Sequence, residues 1–191
     1  MRILSLGGSL RAASLNRALL DEAAALMPED AELDRSHLDV ARALPHFDQD
    51  VVDREGFPEA AVRLKAALRA ADGLLIATPE YNWGIPGFLK NAIDWASRPS
   101  SDIPVVFGDL PVALVGAGGS AGTRLAQSAW LPVFRYLRMR PWSVHTLYVD
   151  RAREKFDDHG RLADETVREQ LREVVAGFVA HCADAPRRRP R

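Results

Sequence analysis

Predicted strands and predicted helices alternate along this chain, and this alternation is the feature that most limits its fold. Short apolar runs predict strands at residues 2–6, 31–38, 74–77, 111–115 and 143–149. Amphipathic segments predict helices at residues 15–27, 58–71, 86–96, 123–139 and 163–182. Such alternation is typical of a parallel sheet with helices on both faces. The 191 residues therefore predict one α/β domain.

The central segment, residues 73–98, contains the most buried of these strands. Residues 74–77 are wholly apolar and lie between Gly73 and Pro79, and Pro86 is predicted to occupy the first turn of the following helix. Open α/β sheets bind ligands just beyond the carboxyl ends of their strands. We therefore expect a planar ligand at the loop between strand and helix, which carries Pro79, Glu80, Tyr81, Asn82 and Trp83.

The loop after the first strand has the composition of a phosphate site. Two glycines at positions 7 and 8 allow a tight turn, Ser9 and Ser14 supply hydroxyl groups, and Arg11 supplies a forked cation. Ser14 is also a plausible N-cap of the next helix. The loop lacks both the Walker sequence and the dinucleotide fingerprint, so a monophosphate fits better than a triphosphate. A serine- and glycine-rich turn with a solvated arginine remains the alternative.

Two long connections and a third glycine-rich loop complete the predicted organisation. Residues 116–122 follow the fourth strand and contain four glycines. Residues 43–57 and 99–110 show no helix or strand pattern, and we interpret the first of them as a long loop with a functional role.

Cysteine and histidine usage predicts no metal site. The single cysteine, Cys182, excludes an internal disulfide, fits a reducing compartment, and falls on the apolar stripe of the last helix, where a small buried side chain is expected. The five histidines lack the i, i+4 and carboxylate spacings of metal ligands.

Charge and hydropathy exclude several partners. A net charge of -1 provides no long-range attraction for nucleic acid or for an anionic membrane. No apolar segment is long enough for export or for crossing a bilayer, so we expect a cytoplasmic protein. Residues 184–191 are predicted to form a disordered basic tail rather than a nucleic-acid contact.

Two motifs resemble those of the NADPH-dependent FMN reductase family. The family's first loop, Gly-Ser-x-Arg-x-x-Ser-x-Asn, is matched by Gly8, Ser9, Arg11, Ser14 and Asn16. The second family motif is matched by Pro79, Glu80, Tyr81, Asn82, Pro86, Leu89, Lys90, Asn91, Asp94 and Trp95. Residues 44–50 resemble a further family loop more weakly, and residues 116–122 match the third flavin loop loosely.

The resemblance implies a flavodoxin-like, doubly wound, five-stranded parallel sheet with strand order 2-1-3-4-5, and one FMN-binding domain over residues 1–183. It implies that Ser9, Arg11, Ser14 and Asn16, with Leu15, hold the FMN phosphate. Pro79, Glu80, Tyr81, Asn82 and Trp83 would lie along the isoalloxazine ring, and Gly116, Gly118, Gly119 and Ser120 would close the other side.

The chemistry implied by the resemblance is carried by the flavin, so no protein acid or base is required. Asn82 is our candidate for stabilising negative charge, and Glu80 is expected to position other groups or to lie in an interface. Many members have Gly-Ser where this chain has Trp83-Gly84, a bulky ring that would narrow the pocket or stack across a subunit interface.

Two function classes follow. The favoured one is an FMN-dependent NAD(P)H oxidoreductase, using NADPH or NADH, that reduces a quinone, a free flavin, an azo dye or a similar small acceptor. The other is a flavodoxin-type electron carrier, whose usual acidic docking face is not indicated by 26 acidic and 25 basic residues. Trp83 and Trp95, expected beside the flavin edge, predict a homodimer or a dimer of dimers.

Overall fold

The computed structural model describes residues 1–185, so the part of the predicted tail from residue 186 onward lies outside it. The described residues form one parallel sheet, whose path runs β2-β1-β3-β4-β5 with a sixth strand also paired to β4. The strands are β1 (Arg2–Gly7), β2 (Glu32–Asp34), β3 (Gly73–Ala77), β4 (Pro111–Ala117), β5 (Arg140–Pro141) and β6 (Leu147–Val149). The predicted flavodoxin-like fold and strand order are confirmed.

Helices cover both faces of this sheet. They are α1 (Leu15–Ala25), α2 (Gln49–Glu55), α3 (Glu59–Ala70), α4 (Gly87–Ala96), α5 (Ile103–Val106), α6 (Arg124–Tyr136) and α7 (Glu165–Ala183). One core lies between the sheet and α3, α4 and α6, where Leu64, Trp95 and Trp130 are fully buried. The second core lies beneath α1 and α7, and Cys182 is buried there as predicted.

The edge beyond β4 differs from the single fifth strand predicted at residues 143–149. Two short strands occupy this edge, with β5 paired to Pro111 and Val112 and β6 paired to residues 115–117 of β4. The Arg140 and Trp142 N–H groups on either side of Pro141 donate to the Leu110 and Val112 carbonyls at 2.9 and 2.8 Å. The chain then leaves the edge and returns to it at Leu147.

Several predicted boundaries were wrong, and local side-chain hydrogen bonds account for two of them. The second strand ends at Asp34, whose carboxylate accepts a hydrogen bond from the Ser36 N–H at 2.9 Å. Residues 43–57 are not a plain loop but contain α2, whose N-cap Asp48 accepts from the Asp50 N–H at 2.9 Å. Residues 99–110 likewise contain a 3₁₀ turn (Ser100–Asp102) followed by α5. Pro86 precedes α4 as its N-cap instead of lying in its first turn.

The second half of the central motif anchors the preceding connection. The Trp95 Nε1–H and the Asn91 amide both donate to the Pro45 carbonyl at 2.8 Å, and the Phe47 N–H donates to Asn91 Oδ1 at 2.8 Å. The Trp95 ring also packs edge-on against Phe47. Trp95 is therefore a core residue that fastens residues 45–47 to α4, and the expectation that it lies in an exposed position beside the ligand was wrong.

Candidate active site

A cavity of about 410 Å³ opens at the carboxyl ends of β1, β3, β4 and β6. Most of the predicted cofactor-binding residues line it: Ser9, Arg11, Ser14, Leu15, Asn16, Pro79, Glu80, Tyr81, Gly118, Gly119 and Ser120. Its volume is within the range of small-molecule sites, roughly 300–1,000 Å³. The topology thus brings the loops that follow β1, β3 and β4, which are far apart in the sequence, to one concave surface.

The first loop packs closely against the segment that follows β3. The Gly8 N–H donates to the Ala77 carbonyl at 2.8 Å, and a Cβ at Gly8 would lie 2.6 Å from the Pro79 ring. Any side chain at this position would push the two loops apart. Glycine at position 8 is therefore required by the approach of the two loops, which places Ser9 and Arg11 at the cavity wall.

The start of α1 presents an anion-binding arrangement to the cavity. Ser14 is the N-cap, as predicted, and its Oγ accepts from the Arg17 N–H at 3.2 Å. Within residues 1–185, the Arg11 guanidinium has no hydrogen bond or ion pair. A free cation beside an open helix N-terminus and two serine hydroxyls is suited to a phosphate group.

Asn16 has a structural partner that the motif does not reveal. Its amide donates to the Ala117 carbonyl at 2.8 Å, and its carbonyl accepts from the Ala117 N–H at 2.9 Å. Both residues are buried. The side chain therefore ties the first loop to the third, and one amide hydrogen is left for a ligand.

The second loop is a tight turn. Tyr81 and Gly84 pair through N–H···O bonds of 3.3 and 2.9 Å, while Asn82 and Trp83 between them have φ of 50° and 63°. Two central residues with positive φ are typical of a type I′ turn. Asn82 and Trp83 are not among the residues that line the cavity, and Trp83 is 77% exposed.

Glu80 is held at the start of α6. Its Oε2 accepts from the backbone N–H groups of Leu125 and Ala126, both at 2.9 Å. A carboxylate is favoured at a helix N-terminus, where backbone N–H groups lack partners within the helix. Glu80 thus fastens the second loop to α6.

The third loop separates into two parts. A Cβ at Gly116 would lie 2.1 Å from Thr123 Oγ1 and 2.5 Å from the Thr78 carbonyl, so this glycine serves the packing of β4 and does not line the cavity. Gly118, Gly119 and Ser120 do line it. The ligand-facing portion of this loop therefore begins at the end of β4.

Sequence reasoning missed the fourth wall of the cavity, residues 151–154, together with Ala117. The Arg151 N–H donates to the Gly119 carbonyl at 2.8 Å, and the Ala152 N–H donates to the Gly118 carbonyl at 3.0 Å. These residues follow β6 directly, so the rule that ligands bind at strand carboxyl ends would have indicated them. They carry no glycine or family motif, which is why they were overlooked.

The described residues contain neither a candidate metal site nor a candidate membrane span. In residues 1–185, no three or more His, Cys, Asp or Glu side chains are grouped to hold a metal ion. No helix in the same part of the chain has the length and apolar character needed to cross a membrane.

The fold and site define a flavodoxin-like protein with an open cavity at the carboxyl ends of its central strands. Comparison with known sequences identifies the group more closely. Residues 1–154 match the family described as NADPH-dependent FMN reductase, and the chain belongs to this family. The resemblance found in the two motifs is confirmed.

Individual relatives agree with this assignment. The chain is 38% identical over 176 residues to an NAD(P)H-dependent FMN reductase of Pseudomonas aeruginosa, covering 92% of this chain and 91% of that protein. It is 37% identical over 185 residues to a 2-hydroxy-1,4-benzoquinone reductase of a Burkholderia species, covering 96% and 97% of the two chains.

A solved structure of similar sequence has the same fold throughout. The flavoenzyme FerB of Paracoccus denitrificans, an NAD(P)H:(acceptor) oxidoreductase, superimposes with a TM-score of 0.84 at 30% identity, covering 96% of this chain and 98% of that one. Family membership and these relatives confirm the expectation of an FMN-dependent oxidoreductase that uses a nicotinamide nucleotide.

Proposed function

We propose that this protein transfers hydride from NAD(P)H to a small acceptor, a quinone or a free flavin, by way of bound FMN. The observation that carries the proposal is the meeting of the first-loop phosphate cradle with the second and third loops in one cavity. Relatives that act as FMN reductases and quinone reductases support the two acceptor classes. When bound, FMN supplies the redox chemistry, while the protein provides binding and orientation.

Separate tasks follow for the residues of the site. Ser9, Arg11, Ser14 and the first N–H groups of α1 bind the phosphate. Asn16 holds the cradle against the third loop through its two bonds to Ala117. The second loop, fixed by Glu80, would align the planar ring, and the amides around Asn82, next to the cavity-lining Tyr81, would stabilise negative charge on it.

The two substrates are proposed to use the same space in turn. One face of the isoalloxazine ring would stay open in this cavity, and that face has room for a nicotinamide or a quinone but not for both, so NAD(P)H would leave before a quinone enters. Ping-pong kinetics are the expected consequence. Hydride transfer through a flavin requires no protein general base, because the cofactor carries the chemistry. Glu80, whose carboxylate is bonded at the N-terminus of α6, is therefore not assigned that role.

Anaerobic absorbance measurements test this function. Addition of NADPH to the FMN-loaded protein should bleach the flavin band promptly, and a quinone added afterwards should restore it. A flavin that stays oxidised with NADPH and NADH, yet accepts electrons one at a time from a chemical donor, would instead support the flavodoxin-type carrier.

We also propose that the protein assembles as a homodimer or a dimer of dimers. Trp83 is 77% exposed beside the cavity, and Tyr136 and Leu131 on α6 are 65% and 48% exposed. A two-fold interface would bury such aromatic and aliphatic groups, and one that includes Trp83 would lie beside the cavity. Light scattering of the FMN-loaded protein should give a mass at least twice the 21.0 kDa of one chain, and a mass of one chain would contradict the proposal.

A cytoplasmic location is the last part of the proposal. The single cysteine, Cys182, is a buried free thiol, and burial together with the nearby Asp72 carboxylate raises its pKa to about 12. With this cysteine alone in its sequence, the protein can form no internal disulfide, as is usual for a reducing compartment. Cell fractionation with an antibody against the protein tests this point.

A further inference from the structure

The wall formed by residues 151–154 places two arginines at the cavity. Arg151 and Arg153 both line it and are exposed, while Ala152 between them is 3% exposed. The backbone of this wall is fixed to the third loop by the bonds from Arg151 to Gly119 and from Ala152 to Gly118. Arg153 therefore lies in a short 3₁₀ turn (Ala152–Glu154) and Arg151 is its N-cap, so both side chains extend from anchored backbone rather than from a free loop.

The backbone at Arg151 is one that arginine rarely adopts. Its φ is 41° and its ψ is 43°, in the left-handed region where glycine and asparagine are preferred. An unfavourable backbone of this kind persists where the surrounding structure demands it, and it occurs often at ligand sites. Here it lets the chain turn directly after β6 so that both arginines border the cavity.

The charges of the two arginines are not neutralised by the protein. Among residues 1–185, neither guanidinium has a hydrogen bond or an ion pair, in contrast to Lys155 in the same segment, which pairs with Asp164 at 2.6 Å. Of the two acidic side chains at the cavity, Glu80 is bound to the start of α6 and only Glu154 is exposed beside the arginines. The wall therefore attracts anions.

The position of this wall separates it from the phosphate cradle. Strands β3 and β4 lie between β1 and β6 in the sheet, and three strand spacings correspond to roughly 14 Å. The proposed site for the single FMN phosphate is at the carboxyl end of β1, where Arg11, Ser9, Ser14 and the start of α1 would bind it. A second anionic group has to come from the second ligand, and a nicotinamide dinucleotide carries a pyrophosphate.

We propose that Arg151 and Arg153 bind the phosphate groups of the nicotinamide nucleotide and thereby set its affinity. This inference rests on the proposed function, because it assigns the site that the reducing substrate uses. The first loop then serves the cofactor, and the 151–154 wall serves the substrate that comes and goes. Exposed guanidinium groups suit an exchanging ligand, since they also speed its encounter with the site.

The experiment compares the natural protein with Arg151→Gln/Arg153→Gln and with the single Arg153→Gln variant, all loaded with FMN. Three reductants are used: NADPH, NADH and 1-benzyl-1,4-dihydronicotinamide, which has the same reactive ring but no phosphate. In the double variant, KM for the two nucleotides should rise about 10- to 100-fold, while KM and kcat for the benzyl compound stay unchanged. A loss restricted to NADPH would also support the proposal and would assign the arginines to its 2′-phosphate.

Arg63→Gln/Arg172→Gln is the matched control, because it removes two exposed guanidinium groups that are paired with Glu59 and Glu169 on helices away from the cavity. It should leave KM for the nucleotides unchanged. Equal losses for all three reductants in the Arg151/Arg153 variant would overturn the proposal. A weaker affinity for FMN with unchanged affinity for riboflavin would also overturn it, because the arginines would then serve the cofactor phosphate.

Calorimetric titration with NADP⁺ provides a readout that does not depend on turnover. Binding to the natural protein should be lost or weakened by the same factor in the double variant and preserved in the control. If no reductant bleaches the flavin of the natural protein, the proposed function fails. If all three bleach it and the double variant binds NADP⁺ as tightly as the natural protein, only the present inference fails.

Discussion

The two ends of the parallel sheet use arginine in opposite ways. Near the amino end of β1, Arg2 donates from Nη2 to Asp34 Oδ2 at 2.6 Å, and its backbone N–H donates to Asp72 Oδ2 at 2.8 Å. At the carboxyl ends of β1 and β6, the guanidinium groups of Arg11 and Arg151 border a cavity and have no partner within residues 1–185.

This difference shows that pairing, rather than residue type, separates structural charges from ligand-binding ones. A paired, partly buried charge contributes to folding, and its removal leaves its partner unsatisfied. An unpaired exposed charge contributes little to folding and is available to a ligand. Substitutions at the amino end should therefore change stability with little effect on ligands, while substitutions of the free arginines should do the reverse.

Substitution of Asn16 should produce the largest effect on stability. Asn16 is an exception to the comparison, because it lies at the ligand end of the sheet but is hydrogen-bonded to the protein, at Ala117. Asn16→Ala removes both bonds to Ala117 and leaves a buried N–H and carbonyl unpaired, so the free energy of unfolding should fall by about 2–4 kcal/mol. Asn16→Asp keeps the acceptor but sets a carboxylate against the Ala117 carbonyl, and should lose a similar amount.

Urea unfolding of the apoprotein measures this change. Full retention of stability in Asn16→Ala would show that water from the cavity replaces the amide. Asn16→Asp should also weaken FMN more than Asn16→Ala does, because it adds a negative charge beside the proposed phosphate position.

Arg11 should have the next largest effect, confined to the ligand. Arg11→Ala removes one charged donor, an interaction of about 1.5–3 kcal/mol, and FMN affinity should fall roughly 10- to 100-fold. Riboflavin, which lacks the phosphate, should bind as before. Fluorescence titration measures both ligands, and the unfolding midpoint of the apoprotein should not move.

Arg17→Ala is the matched control for Arg11, because Arg17 lies in the first turn of α1 but its guanidinium pairs with Asp39. It should leave FMN affinity nearly unchanged. Equal losses for FMN and riboflavin in Arg11→Ala would remove Arg11 from the phosphate site.

Much of the fold and part of the site could be predicted because their signals are local. Apolar runs and helical periodicity identified β1, β3 and β4, and glycines, serines and aromatic residues marked the loops that follow them. The division of the last edge into β5 and β6 depends on pairing with β4, which no periodicity in a two-residue strand reveals.

The missed parts of the site depend on contacts between distant residues. Arg151 and Arg153 belong to the cavity because their turn is bonded to Gly118 and Gly119, and nothing in their own segment distinguishes them from surface arginines. The same limit applies to Asn91 and Trp95, which match the family motif but bond to Pro45. A motif therefore identifies important residues without telling whether they serve a ligand or the fold.

Asp34, the partner of Arg2, tests whether paired charges at the amino end of the sheet contribute to stability. Burial raises the pKa of Asp34, but hydrogen bonds from Ser36 and Arg2 outweigh it and lower the pKa from 3.8 to about 2. Because the folded pKa is the lower one, the ionised carboxylate stabilises the fold above pH 4, by about 2 kcal/mol, and this contribution is lost as pH falls from about 4 to 2.

Asp34→Asn should therefore lower the unfolding free energy at pH 7, and its difference from the natural protein should shrink as the pH approaches 2. Urea unfolding of both proteins at pH 7, 4 and 3 measures this difference in unfolding free energy. KM for NADPH and the affinity for FMN should not change. A difference that is constant with pH would show that the amide loses packing or hydrogen-bond geometry rather than charge.

Glu80 should have the smallest effect, and it tests whether a charged group at the ligand end can be purely structural. Glu80→Gln keeps an oxygen that accepts from the Leu125 and Ala126 N–H groups but removes the charge at the start of α6, so stability should fall by about 0.3–1 kcal/mol. The pH profile of kcat should keep its shape between pH 6 and 9. Glu154→Gln is the control, because it removes the other carboxylate that lines the cavity, and it should also leave the shape of the kcat profile unchanged. A Glu80→Gln enzyme that folds and binds FMN, yet loses one limb of the profile or most of kcat, would make Glu80 a proton-transfer group and would end its assignment to positioning.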